Sequence, residues 1–366
     1  MPPVQVPPPE VVWADELAHL AATDTGPRPP GWRLSPRAVV RFIMGDEGVT
    51  AKFVGERALV ERAVITLAGT RGLLLVGEPG TAKSMLSELL AAAVSGTSAL
   101  TVQGTAGTTE DQLRYGWNYA MLLGSGPRRE ALVPSPVLVA MERGAVVRLE
   151  EITRCLPEVQ DALVSILSER RLMVPELGEA GVVYAMPGFN VIATANLRDR
   201  GVSEMSAALK RRFNFETVPP IARQADEVAL VRRQVVATVE PFGVPAEVDE
   251  TVLDALVTTF RDLRGGRSVE GWPVEKPGAV LSTAEAVGVA SSITLETAFF
   301  TDRTEPLALL PGYLLGVVQK DDPKDRGRLL AYWDGAVRRR AEPSTAHPNA
   351  AVWRRLLELR RVIEEG

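Results

Sequence analysis

One stretch constrains this chain more than any other: Gly77-Glu78-Pro79-Gly80-Thr81-Ala82-Lys83-Ser84. The apolar run Leu73-Leu74-Leu75-Val76 precedes it, and a helical pattern of Leu86, Leu89, Leu90 and Ala93 follows. A buried strand, a glycine turn and a helix N-terminus, in that order, make a phosphate-binding loop. The reason is electrostatic, because backbone N–H groups and the positive end of the helix dipole converge on one point. Lys83 would add a mobile positive charge at the β/γ-phosphates, and the Ser84 hydroxyl would ligate Mg²⁺. The expected cofactors are therefore ATP and Mg²⁺, cradled by Glu78, Pro79, Gly80, Thr81, Ala82, Lys83, Ser84 and Met85. Ala82 stands where the pattern G-x-x-x-x-G-K-[ST] has its second glycine. The competing reading is a Gly/Pro-rich turn that merely contains a lysine.

Composition removes several other chemistries. The single cysteine, Cys155, excludes an intramolecular disulfide and a cysteine-rich zinc site. The two histidines, His19 and His347, sit at opposite ends of the chain, which argues against His-based metal clusters and Ser-His-Asp catalysis. A net charge of −5 over 366 residues argues against a wholesale nucleic-acid binder. The proline-rich start, Met1 to Glu10, lacks the apolar core of a signal peptide, and the apolar stretches are too short or broken to span a membrane. A cytoplasmic protein without membrane insertion is expected.

Along the chain the texture changes twice. Residues 1–50 read as an N-terminal extension, partly disordered. It starts with a polyproline-type lead over 1–10, then a short helical pattern, a break at Pro27 to Pro30 and an apolar patch at Val39 to Met44. Residues 51–220 alternate helical and strand patterns. Strand candidates are Gly72 to Val76, Leu100 to Val102, Ala145 to Leu149 and Val191 to Ala195. Such alternation predicts an α/β domain, a parallel sheet with helices on both faces. Residues 221–366 read as all-α, with weak spots at Gly265-Gly266 and Pro273 to Gly278.

Val146-Val147-Arg148-Leu149-Glu150-Glu151 ends a strand candidate with two carboxylates. Downstream of a phosphate loop, the first acid would steady Mg²⁺ and the second would polarise the attacking water. Glu150 carries one methylene more than the usual aspartate, and Arg148 interrupts an otherwise apolar strand. Alone, the pair would read as a solvated acidic turn. A helix over Leu156 to Arg171 follows, and then a hairpin of Leu172 to Val174 with Val182 to Met186. Asn196 closes the last buried strand, where its amide would bridge γ-phosphate and water or simply cap a loop.

As an ordered set, these residues resemble the MoxR-type AAA+ ATPases, relatives of the magnesium-chelatase ATPase subunits. The set comprises Phe53-Val54-Gly55-Glu56, Gly77 to Ser84, Leu149-Glu150-Glu151-Ile152-Thr153-Arg154, Leu167-Ser168-Glu169-Arg170-Arg171, Ala193-Thr194-Ala195-Asn196 and Leu209-Lys210-Arg211-Arg212-Phe213. The resemblance spans roughly residues 50–220 and implies a P-loop AAA+ core followed by a helical lid. In that family an alanine often precedes the lysine, as Ala82 does here. The resemblance implies that Val54 and Gly55 line the adenine pocket. It makes Lys83 and Ser84 the Walker A ligands, Glu150 and Glu151 the Walker B acids (Glu150 with Ser84 at the metal), and Asn196 sensor 1. Arg212 would be the arginine finger acting on a neighbouring subunit, with Arg211 the near alternative. Residues 105–136, with Trp117, Tyr119 and Met121, and the hairpin at 172–186 resemble inserts that face a pore or substrate.

The resemblance further implies self-assembly into a hexameric ring or spiral and remodelling of a protein client, often through a von Willebrand A-domain protein. Two alternatives stay open: a nucleotide-gated assembly module with little turnover, and a DNA-associated motor. At the lid helix, Leu281-Ser282-Thr283-Ala284-Glu285 lacks the sensor 2 arginine, for which Arg264, Arg267 or Arg338-Arg339-Arg340 would have to substitute. The DNA reading rests on residues 324–361, where ten Lys/Arg face four Asp/Glu and Tyr332, Trp333 and Trp353 interleave. The plainer reading of that segment is a helical lid with basic faces.

Overall fold

The computed structural model describes residues 6–196, 203–244, 248–278, 280–300, 305–320, 322–345 and 347–366. Nine strands occur among them: β1 Gly72–Val76, β2 Thr101–Gln103, β3 Tyr115–Trp117, β4 Leu132–Pro134, β5 Val146–Glu150, β6 Arg171–Met173, β7 Val182–Tyr184, β8 Asn190–Ala195 and β9 Phe213–Thr217. Five of these form one sheet in the order β2-β5-β8-β1-β9. All four neighbouring pairs are parallel. The chain divides into two compact units, one of residues up to Glu78 with Ala82–Pro220, the other of Ile221–Gly366 with Pro79–Thr81.

Parallel strands buried on both faces must be apolar throughout, and β1 is: each of its five residues is buried. Its side chains alternate between two cores. Leu73 and Leu75 join the cluster lined by the helices Pro36–Met44, Arg57–Ala68 and Lys83–Ser95. Leu74 and Val76 join the opposite cluster, under the helices Pro136–Arg143 and Pro157–Glu169. This is the period-two rule of a strand with both faces covered.

The N-terminal segment is built into this unit. Leu20, Leu34, Val39, Phe42 and Ile43 are buried in the same cluster as Leu73. The polyproline lead expected over residues 1–10 gives way to a helical turn at Pro9–Val12, where proline suits the first turn. The Glu10 carboxylate accepts hydrogen bonds from Ser98 N at 2.9 Å and Ser98 Oγ at 3.0 Å. Lys52 secures the next helix through Glu16 at 2.6 Å and the Phe42 carbonyl at 3.0 Å. Residues 1–5 of the expected lead lie outside the described residues.

Register then gathers the strand ends. Val76 pairs with Ala195 and Leu149 with Ala193, so Gly77, Glu150 and Asn196 reach the same C-terminal edge. That edge is where open α/β sheets bind ligands.

From Ile221 the unit is helical, with main helices Gln224–Val239, Glu250–Gly265, Thr283–Phe299 and Pro306–Val318. Gly266, with φ of +70°, ends the second of these in a left-handed cap. The basic C-terminal segment belongs to the core of this unit. Trp333, Trp353 and Tyr332 are buried, and so is Arg340, fully. Arg340 is held by Asp262 and Glu270, both at 2.7 Å, over the Trp353 ring. Arg360 and Arg338 pair with Asp334, and Arg355 with Glu305 and Glu358. The surface for stacking on nucleic acid that the composition allowed is therefore absent at these aromatics. Among the described residues, no helix is long and apolar enough to cross a membrane.

Candidate nucleotide site

Ala82 sets the geometry of the loop. Its φ of +62° is left-handed, and from there the helix Lys83–Ser95 begins. A left-handed alanine is strained by about 1–2 kcal/mol, which glycine would avoid. Gly80 adopts the same region, with φ of +73°. Lys83, the first helical residue, is buried, and its Nζ folds back onto the carbonyls of Gly77 at 3.1 Å and Glu78 at 2.8 Å. Burial lowers the Lys83 pKa, against the pull of Glu151, Glu150 and Glu78.

Glu150 sits at the centre of a dense polar network. Its Oε2 accepts from Ser84 Oγ and from Thr194 Oγ1, each at 2.7 Å. Its Oε1 accepts from Ser87 Oγ at 2.6 Å and from Arg148 Nη2 at 2.8 Å. Burial pushes the Glu150 carboxyl up, but the hydroxyls of Ser87, Ser84 and Thr194 together with Arg148 outweigh it and hold the group below its ordinary value. A carboxylate has about four lone-pair directions, and all are used. Glu150 is thus an acceptor that orients Ser84, and as arranged it offers no oxygen to a metal. Ser84 Oγ donates to Glu150 and keeps its own lone pairs, so it fits Mg²⁺, which takes few protein ligands.

Glu151 follows in a left-handed conformation, φ +54°, and its N–H donates to Thr194 Oγ1 at 3.0 Å. Its buried Oε2 accepts no hydrogen bond among the described residues and forms an ion pair with Arg154 Nε at 3.6 Å. On the neighbouring strand, buried Asn196 has an Oδ1 that, among the described residues, also lacks a hydrogen-bond partner. Two buried acceptors that take no hydrogen bond, at adjacent strand ends, mark a place for a donor, since buried polar atoms in native proteins are nearly always hydrogen-bonded.

The two arginines differ. Arg212 is half-buried; its Nη1 donates to the Ala208 carbonyl at 2.6 Å and its Nε to Ser168 Oγ. Arg211 is exposed, and its side chain makes no hydrogen bond or ion pair among the described residues. Val54 is half-buried and Gly55 exposed. They follow Phe53, which is buried in the cluster that Ala82 and Met85 also contact. Of the sensor 2 alternatives, Arg264 is held by Glu227 at 3.1 Å and by the Leu281 carbonyl, and Arg340 is locked as described. Arg338 pairs with Asp334, Arg339 lies over the Trp272 ring, and Arg267 is exposed.

The family models of two domains match this architecture. The AAA domain of the dynein-related subfamily matches residues 72–213, and the YehL-like AAA+ ATPase C-terminal domain matches residues 225–364. The uncharacterized protein YehL of Escherichia coli (strain K12) is 51% identical over 337 residues, covering 91% of this chain and 93% of that protein. The chain belongs to the YehL-like AAA+ ATPase family. The uncharacterized protein SH1500 of Staphylococcus haemolyticus is 34% identical over 144 residues, or 39% of this chain, which spans about half (53%) of that protein. Among solved structures, NtrX from Brucella abortus aligns with a TM-score of 0.49 at 14% identity, over 84% of this chain and 69% of that one. NtrX in complex with ADP aligns at 0.44 and 15% identity, over 67% of this chain and 51% of that one.

Three residues of the network around Glu150 carry weak sequence signals. Ser87 lies three residues after Ser84 on the same helix, so helical periodicity could have placed it beside Glu150. Thr194 is one residue past Ala193, the register partner of Leu149, which brings its hydroxyl to Glu150. Arg148, which in the sequence interrupts an apolar strand, is bonded into the network through Glu150 Oε1.

Two small hairpins project from this unit, β3-β4 and β6-β7. Glu176 ties them together, accepting from Tyr115 Oη at 2.9 Å and Trp117 Nε1 at 3.4 Å. Tyr119, Met121, Leu123, Tyr184 and Met186 are exposed beside them.

Proposed function

We propose that this AAA+ protein binds ATP with Mg²⁺ and hydrolyses it at the C-terminal edge of the five-stranded sheet. In this reading it is of MoxR type, assembles as a hexameric ring or spiral in the cytoplasm, and remodels or activates a protein client, with a von Willebrand A-domain protein as adaptor. The observation that carries the catalytic part is the pair of buried acceptors that take no hydrogen bond among the described residues, Glu151 Oε2 and Asn196 Oδ1, at neighbouring strand ends, with Glu151 within electrostatic reach of Lys83. Both accept hydrogen bonds, as the attacking water requires.

The roles follow from the contacts. Lys83 leaves the loop carbonyls for the β/γ-phosphates, which offer full negative charge in place of two dipoles. Mg²⁺, when bound at Ser84, supplies charge compensation to the same phosphates. Glu151 draws a proton from the attacking water, and the Asn196 amide holds that water in line. The trans guanidinium is best supplied by Arg211, because Arg212 is already committed to Ala208 and Ser168 within its own subunit. The exposed Tyr119, Met121, Tyr184 and Met186 on the clasped hairpins suit contact with an unfolded or extended client.

Mixing inactive subunits tests this. Glu151→Gln and Arg211→Ala should each be inactive in steady-state hydrolysis. In mixed assemblies, interfaces pairing an intact Glu151 with an intact Arg211 should restore activity. No rescue, with folded variants and mixed assembly confirmed, refutes a shared site. A second reading, ATP-driven assembly with little turnover, is favoured by the fully bonded Glu150; ATP-dependent assembly without steady-state hydrolysis by the parent would establish it. A DNA-associated motor loses its main support with the burial of Trp333 and Trp353.

A further inference from the structure

Arg148 is a charged residue in the middle of a parallel sheet. It pairs in register with Thr101 on one side and Ile192 on the other, and it is 5% exposed. An unpaired guanidinium there would be very unfavourable. All five of its N–H donors are used. Nε donates to Ser87 Oγ at 2.9 Å, and Nη1 to Glu88 Oε1 at 3.2 Å and the Ser98 carbonyl at 3.1 Å. Nη2 donates to Glu150 Oε1 at 2.8 Å and the Ser84 carbonyl at 3.4 Å. Four of these contacts involve the helix Lys83–Ser95 or Glu150, which together form the floor of the phosphate site.

We propose that Arg148 is a positioning residue and built-in countercharge: it fixes the Oε1 end of the long Glu150 side chain and offsets its charge beside Ser84, so that nucleotide binding depends only weakly on Mg²⁺. This rests on the ATP-site reading above. The geometry follows from side-chain length. Glutamate at position 150 reaches one methylene further than aspartate would, and Arg148 takes up that reach by holding Oε1. Ser87 holds the same oxygen, and only Oε2 is left facing Ser84 and Thr194. A divalent ion at Ser84 then meets a Glu150 carboxylate already paired with Arg148 in place of a bare one, and much of that source of attraction is offset.

The test is calorimetric ATP binding to the full chain, in excess Mg²⁺ and in EDTA. For the parent, the two dissociation constants should agree within about threefold. Arg148→Met uncovers the Glu150 charge, and the EDTA/Mg²⁺ ratio should grow by about tenfold or more, since a full charge near a divalent ion is involved. Arg148→Lys keeps the charge and should stay near the parental ratio. The double variant Arg148→Met/Glu150→Gln, neutral again, should do the same and avoids an unpaired buried carboxylate. An unchanged ratio in Arg148→Met, or equal growth in Arg148→Lys, overturns the proposal. So does a parental ratio clearly above about threefold, which needs no variant to fold. A parent that binds no ATP under either condition refutes instead the reading on which the proposal rests, and the proposal with it.

Discussion

Thr194 holds the two acidic residues of the site to each other, and Thr194→Val tests that bridge with little change of volume. The hydroxyl donates to Glu150 Oε2 at 2.7 Å and accepts from the Glu151 N–H at 3.0 Å, and the residue is 1% exposed. A hydrogen bond to a charged group contributes about 1.5–3 kcal/mol, and an orphaned N–H costs about 1–3 kcal/mol. Glu150 keeps three other donors, which favours the low end of the first figure. The combined loss should be about 3 kcal/mol, or roughly a hundredfold in an opening equilibrium. Hydrogen exchange read by mass spectrometry is the suitable assay, because local opening is reported segment by segment. Peptides covering 146–151 and 190–196 should exchange about a hundredfold faster in Thr194→Val, while those from Glu250–Gly265 should not change. If the β5 and β8 peptides accelerate by less than about threefold, the hydroxyl is not a bridge and the account of Glu150 fails at its first contact.

Lys83→Ala removes the cation that would meet the phosphates, so ATP affinity should fall by at least about tenfold, about 1.4 kcal/mol, in a calorimetric titration; unchanged affinity refutes the phosphate loop. Ala82→Gly relieves a left-handed alanine and should raise thermal stability by up to about 1 kcal/mol, and a lowered melting temperature would show that packing of the methyl group dominates. For Glu270, burial acts to raise the pKa, but hydrogen bonds from Arg340 and Ser268 prevail and lower it from 4.5 to about 2. A depressed folded-state pKa gives stability that is present above about pH 4.5 and lost as the pH falls toward 2. Glu270→Gln should therefore flatten the stability–pH profile across that window, measured by denaturant titration, and an unchanged slope would refute the assignment.

The α/β core was legible because its signals are local and redundant. Leu73 to Val76 can only be a strand covered on both faces, and the loop that follows fixes the helix start at Lys83. The helical unit was legible as helices, since Gly266 and the Pro273–Gly278 stretch punctuate them. The N-terminal segment was harder. Leu20 and Phe42 look like any amphipathic helix residues, and that they bury themselves against Leu73 and Leu75 depends on a packing partner thirty or more residues away. The C-terminal basic segment misled for a related reason. Sequence counts charges without their partners, and the acids that neutralise Arg340, Asp262 and Glu270, lie far upstream.

The candidate site divides along the same line. Lys83, Ser84, Glu150, Glu151 and Asn196 could be named because each follows a strand or opens a helix, and strand ends in a parallel sheet converge on one edge. What could not be read was what the carboxylate at position 150 is doing. Read in isolation, Arg148 and the extra methylene of Glu150 are two departures from an ATPase strand. In three dimensions they answer each other, because Arg148 lies two residues from Glu150 on the same face of β5 and reaches its Oε1 at 2.8 Å. An aspartate at 150 would fall about one methylene short of that contact, and an apolar residue at 148 would leave Glu150 long and uncompensated. The pair is therefore coupled, and an apolar residue at 148 alone, or an uncharged one at 150 alone, should be worse for the site than both changes together.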